Sequence, residues 1–389
     1  MSLSLISNRR LHWFWSLGVV LLLLAGCKGE EGVVTEALKV LVFPEPPDTP
    51  RFYYERTLYG ARDVQPREED EDAMSLRELL TGDASPGGGE GFGKPFGIAA
   101  AKGRIYVGDT VNRTVMMLDP AQGRMVEIGK DDPGVLAKPM GLRLDAAGNL
   151  YVMDGTRKEV LVYDRDGKYL RAIGHGDSFD HPSSVAVNPQ GTRLYALDTG
   201  AVKGKEENHN VRVYDIASGK HLFNIGKRGD KEGEFNLARD LDFGPDGLLY
   251  VVDGGNFRVQ VFDQDGKFVR MFGSVGRRLG QFARPKGIAI DKENNLYISD
   301  ASHANFQIFD KNGQLLMFVG SRGKESERGK YLLPSMIALD EDGRVYIVDQ
   351  GFRKVEVFRP ARMKEEEGSL AQAFQALSKL KSKPKQKKG

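Results

Sequence analysis

Cysteine occurs once, at Cys27, which excludes an intrachain disulfide and any thiolate-based metal centre. Tryptophan occurs only as Trp13 and Trp15, so no repeat along the chain is built on an indole. No Cys-x-x-Cys-His run is present to attach haem, and no Gly-x-Ser-x-Gly turn to raise a hydrolase nucleophile. The stretch Gly88–Lys94 imitates a phosphate-binding loop, but Pro95 stands where a hydroxyl must hold magnesium. Charge of one sign is also scarce. Of a net +2, Arg9, Arg10 and the six lysines between Lys379 and Lys388 supply eight positive charges, leaving the body at −6. That balance argues against a nucleic-acid-binding surface.

What is present begins with a targeting segment. Arg9 and Arg10 precede an apolar run, Leu11–Leu24, that falls short of the ~20 residues needed to span a bilayer. It ends in Leu24-Ala25-Gly26-Cys27, which resembles the lipobox of bacterial lipoproteins. The resemblance implies removal of residues 1–26, lipidation of Cys27 and attachment to a membrane. Lys28, in place of a retaining aspartate, implies the outer membrane of a Gram-negative cell. Residues 27–50, with Pro44, Pro46, Pro47 and Pro50, read as an extended tether.

From there to residue 362 the chain repeats itself. Aligned on one aspartate, the units place Asp109, Asp154, Asp198, Asp253, Asp300 and Asp349 at gaps of 45, 44, 55, 47 and 49 residues. Each unit holds four short β-patterned runs, a to d, separated by turn residues. Run b centres on a tyrosine (Tyr106, Tyr151, Tyr195, Tyr250, Tyr297, Tyr346), and run d ends on glycine (Gly129, Gly174, Gly226, Gly273, Gly320). Four strands every 45 to 50 residues make a propeller blade, because a lone four-stranded sheet buries neither face until it stacks on neighbours. The motifs P-x-G-I-A, L-Y-V-x-D and V-x-V-F-D-x-x-G resemble NHL repeats over roughly residues 95–360. The expected fold is therefore all-β, a six-bladed β-propeller of NHL type. The sixth unit lacks its d run after Phe358, and Arg51–Gly60, RFYYERTLYG, is the candidate to supply it from the N-terminal end.

Strand direction alternates within a blade, so a–b and c–d turns share one face while b–c loops and d–a crossovers share the other. Tight turns such as Asp145–Gly148 occupy the first and leave little room for chemistry; length variation falls on the second, the expected binding face. His175, His181, His209 and His303 map to that face. A zinc or calcium site there is the alternative considered, although no local spacing supports it and no cofactor is expected. The six repeated aspartates are expected to fix turns rather than hold a cation, since they recur in every unit. Residues 363–389 read as a short amphipathic helix capped by Ser369, followed by a lysine-rich tail. Since NHL propellers mostly bind, the resemblance implies a scaffold that holds a protein partner in the cell envelope. A metal-dependent lyase or lactonase is the alternative.

Overall fold

The structure, a computed structural model, describes residues 40–65, 91–174, 179–200 and 208–381. The leader, Cys27, His175 and residues 382–389 of the lysine-rich tail lie outside the described residues, and Lys379 and Lys381 belong to the helix before it. The described residues, from Val40 onward, form one compact unit.

Short strands with apolar residues on both faces, bounded by Asp-x-x-Gly turns, can be buried only by stacking, and they form six antiparallel sheets. Blade 1 is β3 (Pro95–Ala101), β4 (Arg104–Asp109), β5 (Thr114–Asp119) and β6 (Arg124–Ile128). Blade 2 is β7 (Pro139–Leu144), β8 (Leu150–Asp154), β9 (Glu159–Tyr163) and β10 (Tyr169–Ile173). Blade 3 is β11 (Pro182–Val187), β12 (Arg193–Asp198), β13 (Asn210–Asp215) and β14 (His221–Ile225). Blade 4 is β15 (Asp240–Phe243), β16 (Leu249–Asp253), β17 (Arg258–Phe262) and β18 (Phe268–Phe272). Blade 5 is β19 (Pro285–Ile290), β20 (Leu296–Asp300), β21 (Asn305–Phe309) and β22 (Leu315–Val319). A parallel pair, β23 (Ser321–Arg322) and β24 (Lys330–Tyr331), lies in the crossover to blade 6.

Blade 6 consists of β25 (Pro334–Leu339), β26 (Val345–Asp349) and β27 (Lys354–Pro360), completed by β2 (Phe52–Leu58) from the N-terminal side. The register places Tyr54 opposite Phe358 and Arg56 opposite Val357. This is the closure expected from Arg51–Gly60. One boundary differs: β1 (Val42–Phe43) adds a fifth strand beyond β2, so the propeller begins inside the stretch read as tether. The cause is a short apolar run, Val40-Leu41-Val42-Phe43, ahead of the prolines. Phe43 meets the ring of Phe358 edge-on at 5.7 Å, burial that a proline-rich spacer does not have.

The b strands are buried along their whole length except for Arg104 and Arg193 at the start of β4 and β12, and the b strand of blade 4, Leu249–Asp253, lies in a layer between two neighbouring blades. Full burial of one Val, Leu or Ile contributes about 1.5–3 kcal/mol, so stacking carries most of the stability. The a strands of successive blades touch in a closed ring from β3 round to β25 and back. Gly97 shows how closely they approach, since a Cβ there would sit 2.0 Å from the Met140 carbonyl oxygen.

After blade 6 the chain turns at Gly368, φ +88°, into helix α1 (Ser369–Lys381). Leu370, Ala371, Ala373 and Leu377 are buried, and Phe374 stacks under the Arg56 guanidinium at 3.6 Å. The cap differs from expectation. Asp342 Oδ2 accepts both the Ser369 backbone N–H (2.7 Å) and its hydroxyl (3.0 Å), so the neighbouring turn, not Ser369, satisfies the helix start. No helix among the described residues is long and apolar enough to cross a membrane.

Candidate functional site: the two ends of the propeller axis

The six repeated aspartates act as staples. Each has no exposed surface and sits at the end of its b strand. Asp300 is representative. It accepts backbone N–H bonds from Ala283 (2.8 Å) and Arg284, ahead of β19, and from Ser302 (2.9 Å) and His303 (3.0 Å) in the b–c loop. Asp109, Asp154 and Asp349 do the same for their own blades. Asp198 binds Asp180, His181 and Gly200 N–H groups, and Asp253 adds the Arg258 guanidinium at 2.9 Å. With their lone pairs spent on N–H donors, these carboxylates tie the loop face together, and each is surrounded by its own donors.

The three described loop histidines, His181, His209 and His303, form no common metal-ligand group. His181 is exposed, with Nδ1 3.2 Å from Asp180. His209 is buried, its Nδ1 accepting from the Leu237 N–H at 3.4 Å, and its ring packs against Gly200. His303 lies beside Asp300, Nδ1 to carboxylate 3.7 Å. Among the described residues no three His, Cys, Asp or Glu side chains are placed to hold a metal ion.

Charge gathers instead along the axis. Arg143, on β7, reaches across to β15, where it meets Asp240 and Asp242 at 3.3 Å each. It also donates to the carbonyls of Leu241 (2.9 Å) and Ile288 (3.1 Å). Asp240, fully buried, further accepts the Ser184 hydroxyl at 2.5 Å and the Ile288 N–H at 2.9 Å. One guanidinium thus ties the inner strands of blades 2, 4 and 5 together, and Asp240 brings in blade 3. Burial pushes the Asp242 carboxyl up, and the neighbouring Arg143 opposes it. Above this cross-brace a cavity of about 340 Å³ opens on the tight-turn face, lined by Ala99, Ala289, Ala338, Leu144 and Leu339, with Arg143 and Asp242 among its walls. The sequence assigns that face little room. The turns are indeed tight, but the space belongs to the ring of inner strands, where small residues leave the axis open.

At the opposite end, a Lys or Arg immediately precedes the inner strand in four blades (Lys94, Lys138, Arg239 and Arg284), and Lys286 is the second residue of β19. Neither this ring nor the Arg143 brace was singled out by motif. Both carried a signal, visible only once the repeats are superposed. Arg143 and Asp242 occupy the position held by Ala99, Ala186, Ala289 and Ala338 elsewhere, and Asp240 occupies that of Gly97, Gly141 and Gly287. A larger cleft, about 810 Å³, lies away from the axis between β1 and β22, lined by Leu41, Phe43, Leu279, Leu316 and Phe318.

Comparison with known proteins agrees with this architecture. Residues 240–302, from β15 into the b–c loop of blade 5, match a family described as "6-bladed beta-propeller". The chain is 45% identical over 56 residues to RING finger protein nhl-1 of Caenorhabditis elegans, covering 14% of this chain and 6% of that protein. It is 28% identical over 103 residues to human Teneurin-4, covering 22% of this chain and 4% of that one. The chain therefore spans only a small part of the curated relatives it matches. Among solved structures, a Bacteroides thetaiotaomicron protein of unknown function superposes with a TM-score of 0.56 at 18% identity, covering 70% of this chain and 71% of the other. An auxiliary nutrient binding protein from the same organism gives 0.53 at 14% identity, covering 70% of each chain. A gluconolactonase from Xanthomonas campestris gives 0.53 at 19% identity, covering 69% of this chain and 86% of that one. At these identities the likeness is one of fold, and the chain is a six-bladed β-propeller with NHL-like repeats.

Proposed function

We propose that the protein is a binding scaffold of a bacterial cell envelope, anchored by lipid at Cys27 to the outer membrane, that holds a protein partner on its b–c/d–a face. The observation that supports this most is asymmetry between the two faces. The c–d turns are closed by their own aspartates: Asp164 and Asp263 each accept N–H groups within a single tight turn. The other face carries the long crossovers and the cationic strand entrances, stapled to a rigid ring by six buried carboxylates. Variable loops on a rigid frame are the usual place for recognition.

Photo-crosslinkers placed at Lys138 (loop face) and Lys292 (tight-turn face), in intact cells, test the assignment. Adducts from Lys138 and none from Lys292 are expected; the reverse pattern, or none from either, overturns it. Labelled palmitate that marks the wild-type chain but not Cys27→Ser tests the anchor, and label retained by the variant removes it.

A further inference from the structure

We propose that Arg239, Arg284 and Lys286 form an anion site at the loop-face mouth of the propeller, suited to a phosphate-type dianion. It rests on the reading that this face is the binding face. Arg239 and Lys286 hold the same place at the start of adjacent inner strands, one residue before Asp240 and Gly287 respectively, and β15 and β19 lie side by side. Arg284 stands two residues ahead of Lys286 in the crossover that feeds the same strand. The Arg239 stem lies over Gly254, where an added Cβ would come within 2.7 Å of its Cγ, so the guanidinium is held at the mouth by its own blade.

Among the described residues none of the three side chains has a carboxylate partner or a hydrogen-bond acceptor. The carboxylates nearby are spent: Asp253 binds Arg258 at 2.9 Å, and Asp300 accepts four backbone N–H groups. Burial first, then Arg239 and Arg284, push the Lys286 ammonium down to about 8, against the opposing pull of Asp300. Burial and Arg284 likewise lower Arg239. Arg284 is exposed and Arg239 and Lys286 are half-buried, so the cluster opens to solvent, and neighbouring cations without a carboxylate partner in a net acidic body are suited to an incoming anion.

Charge count and geometry select the class. Two guanidiniums present planar forks that match phosphate oxygens two at a time, and the ammonium adds a point charge. Three positive charges are matched better by the dianion of a phosphomonoester than by the monoanion of a diester or carboxylate. A free phosphate compound and the headgroup of phosphatidic acid present this same chemistry.

Calorimetry on the full chain, at constant ionic strength, tests it with inorganic phosphate and with vesicles of phosphatidylcholine with or without phosphatidic acid. Saturable one-to-one binding is expected, weakening as pH rises through about 8, where Lys286 loses its proton. Lys286→Met and Arg239→Met should each reduce affinity at least tenfold. Lys286→Arg should bind while losing the pH dependence, and Lys292→Met on the other face should change nothing. Each variant is first shown to melt as cooperatively as wild type. Binding of free phosphate assigns a soluble ligand; binding only of phosphatidic acid vesicles assigns a lipid headgroup. No saturable binding to either, or binding untouched by both Met variants, overturns the site. If Lys138 adducts still form in that case, the binding face stands and only its anion chemistry fails.

Discussion

Blades 5 and 6 solve the same problem with different chemistry. In blade 5 all four strands are consecutive, and its c strand is braced by a neutral amide. Gln307 accepts from the Gly280 N–H (2.6 Å) and donates to the Gln281 carbonyl (3.0 Å). In blade 6 the fourth strand comes from the other end of the chain, and the equivalent position is Glu356. It accepts from the Gly329 N–H at 3.1 Å and pairs with Lys354 at 2.6 Å, both side chains fully buried. The a–b turns differ in the same sense. Asn295 in blade 5 bonds only Asp291 of its own turn. Its counterpart Arg344 reaches Glu55 on β2 (2.7 Å) and the Glu367 carbonyl ahead of α1 (2.6 Å). Buried ion pairs rarely add net stability, yet breaking one is costly. The hypothesis that follows is that charge in blade 6 selects the correct strand and register, where the chain itself provides no tether.

The comparison breaks most completely if β2 is removed. Deleting residues 51–60 leaves β27 with an open edge, Arg344 without Glu55, and an apolar face uncovered. Loss of a cooperative thermal transition is expected by calorimetry. A deletion variant that melts as sharply as the intact chain would remove the closure argument.

Lys354→Met ranks next. It strands Glu356, whose carboxyl burial already pushes up, in the core. A loss of about 3–5 kcal/mol is expected from urea unfolding, far more than for Asn305→Ala at the matching place in blade 5. Equal losses in the two blades would show that the charge is incidental.

Asp340, in the blade 6 turn, sharpens the contrast through pH. Burial raises its carboxyl to about 6, against hydrogen bonds from Tyr346 and Arg344. A group that binds its proton more tightly when folded stabilises fully below its ordinary range, near 4, and loses that contribution as pH rises through about 6. The upper bound is about 3 kcal/mol at 1.36 kcal/mol per unit. The wild-type profile minus that of Asp340→Asn should therefore fall between pH 4 and 7. A flat difference would place the carboxyl at its ordinary value.

The smallest effect is expected from the transplant Lys354→Asn with Glu356→Gln, which gives blade 6 the neutral brace of blade 5. Within about 1 kcal/mol of wild type is expected, since replacing both partners of a buried pair is often neutral. A loss as large as that of Lys354→Met alone would mean the brace depends on charge after all.

Much of this was legible in advance. The aspartate spacing, the b-strand tyrosines and the missing d run after Phe358 specify six blades and a borrowed strand, because each is local and repeats. The axial features were not legible by motif. Arg143 and Asp242 are separated by 99 residues in sequence yet meet at 3.3 Å, a contact that depends on ring closure. The loop histidines read as a group by topology, but sharing a face does not set distance or direction, and His209 turned inward to serve the Leu237 N–H. Ser369 reads as a cap by residue type, yet Asp342 took that role through a contact across the fold.

By itself, the amino-acid order determined the repeating unit, its count, its strand sequence and which end supplies the last strand. Those follow from alternation and turn chemistry, which act over a few residues at a time. Only tertiary structure decided what lies on the axis: a cross-brace of Arg143 with Asp240 and Asp242 below one mouth, and Arg239, Arg284 and Lys286 at the other. The reason is geometric. Each blade contributes one inner strand, so an axial site is assembled from side chains that become neighbours only when the ring shuts.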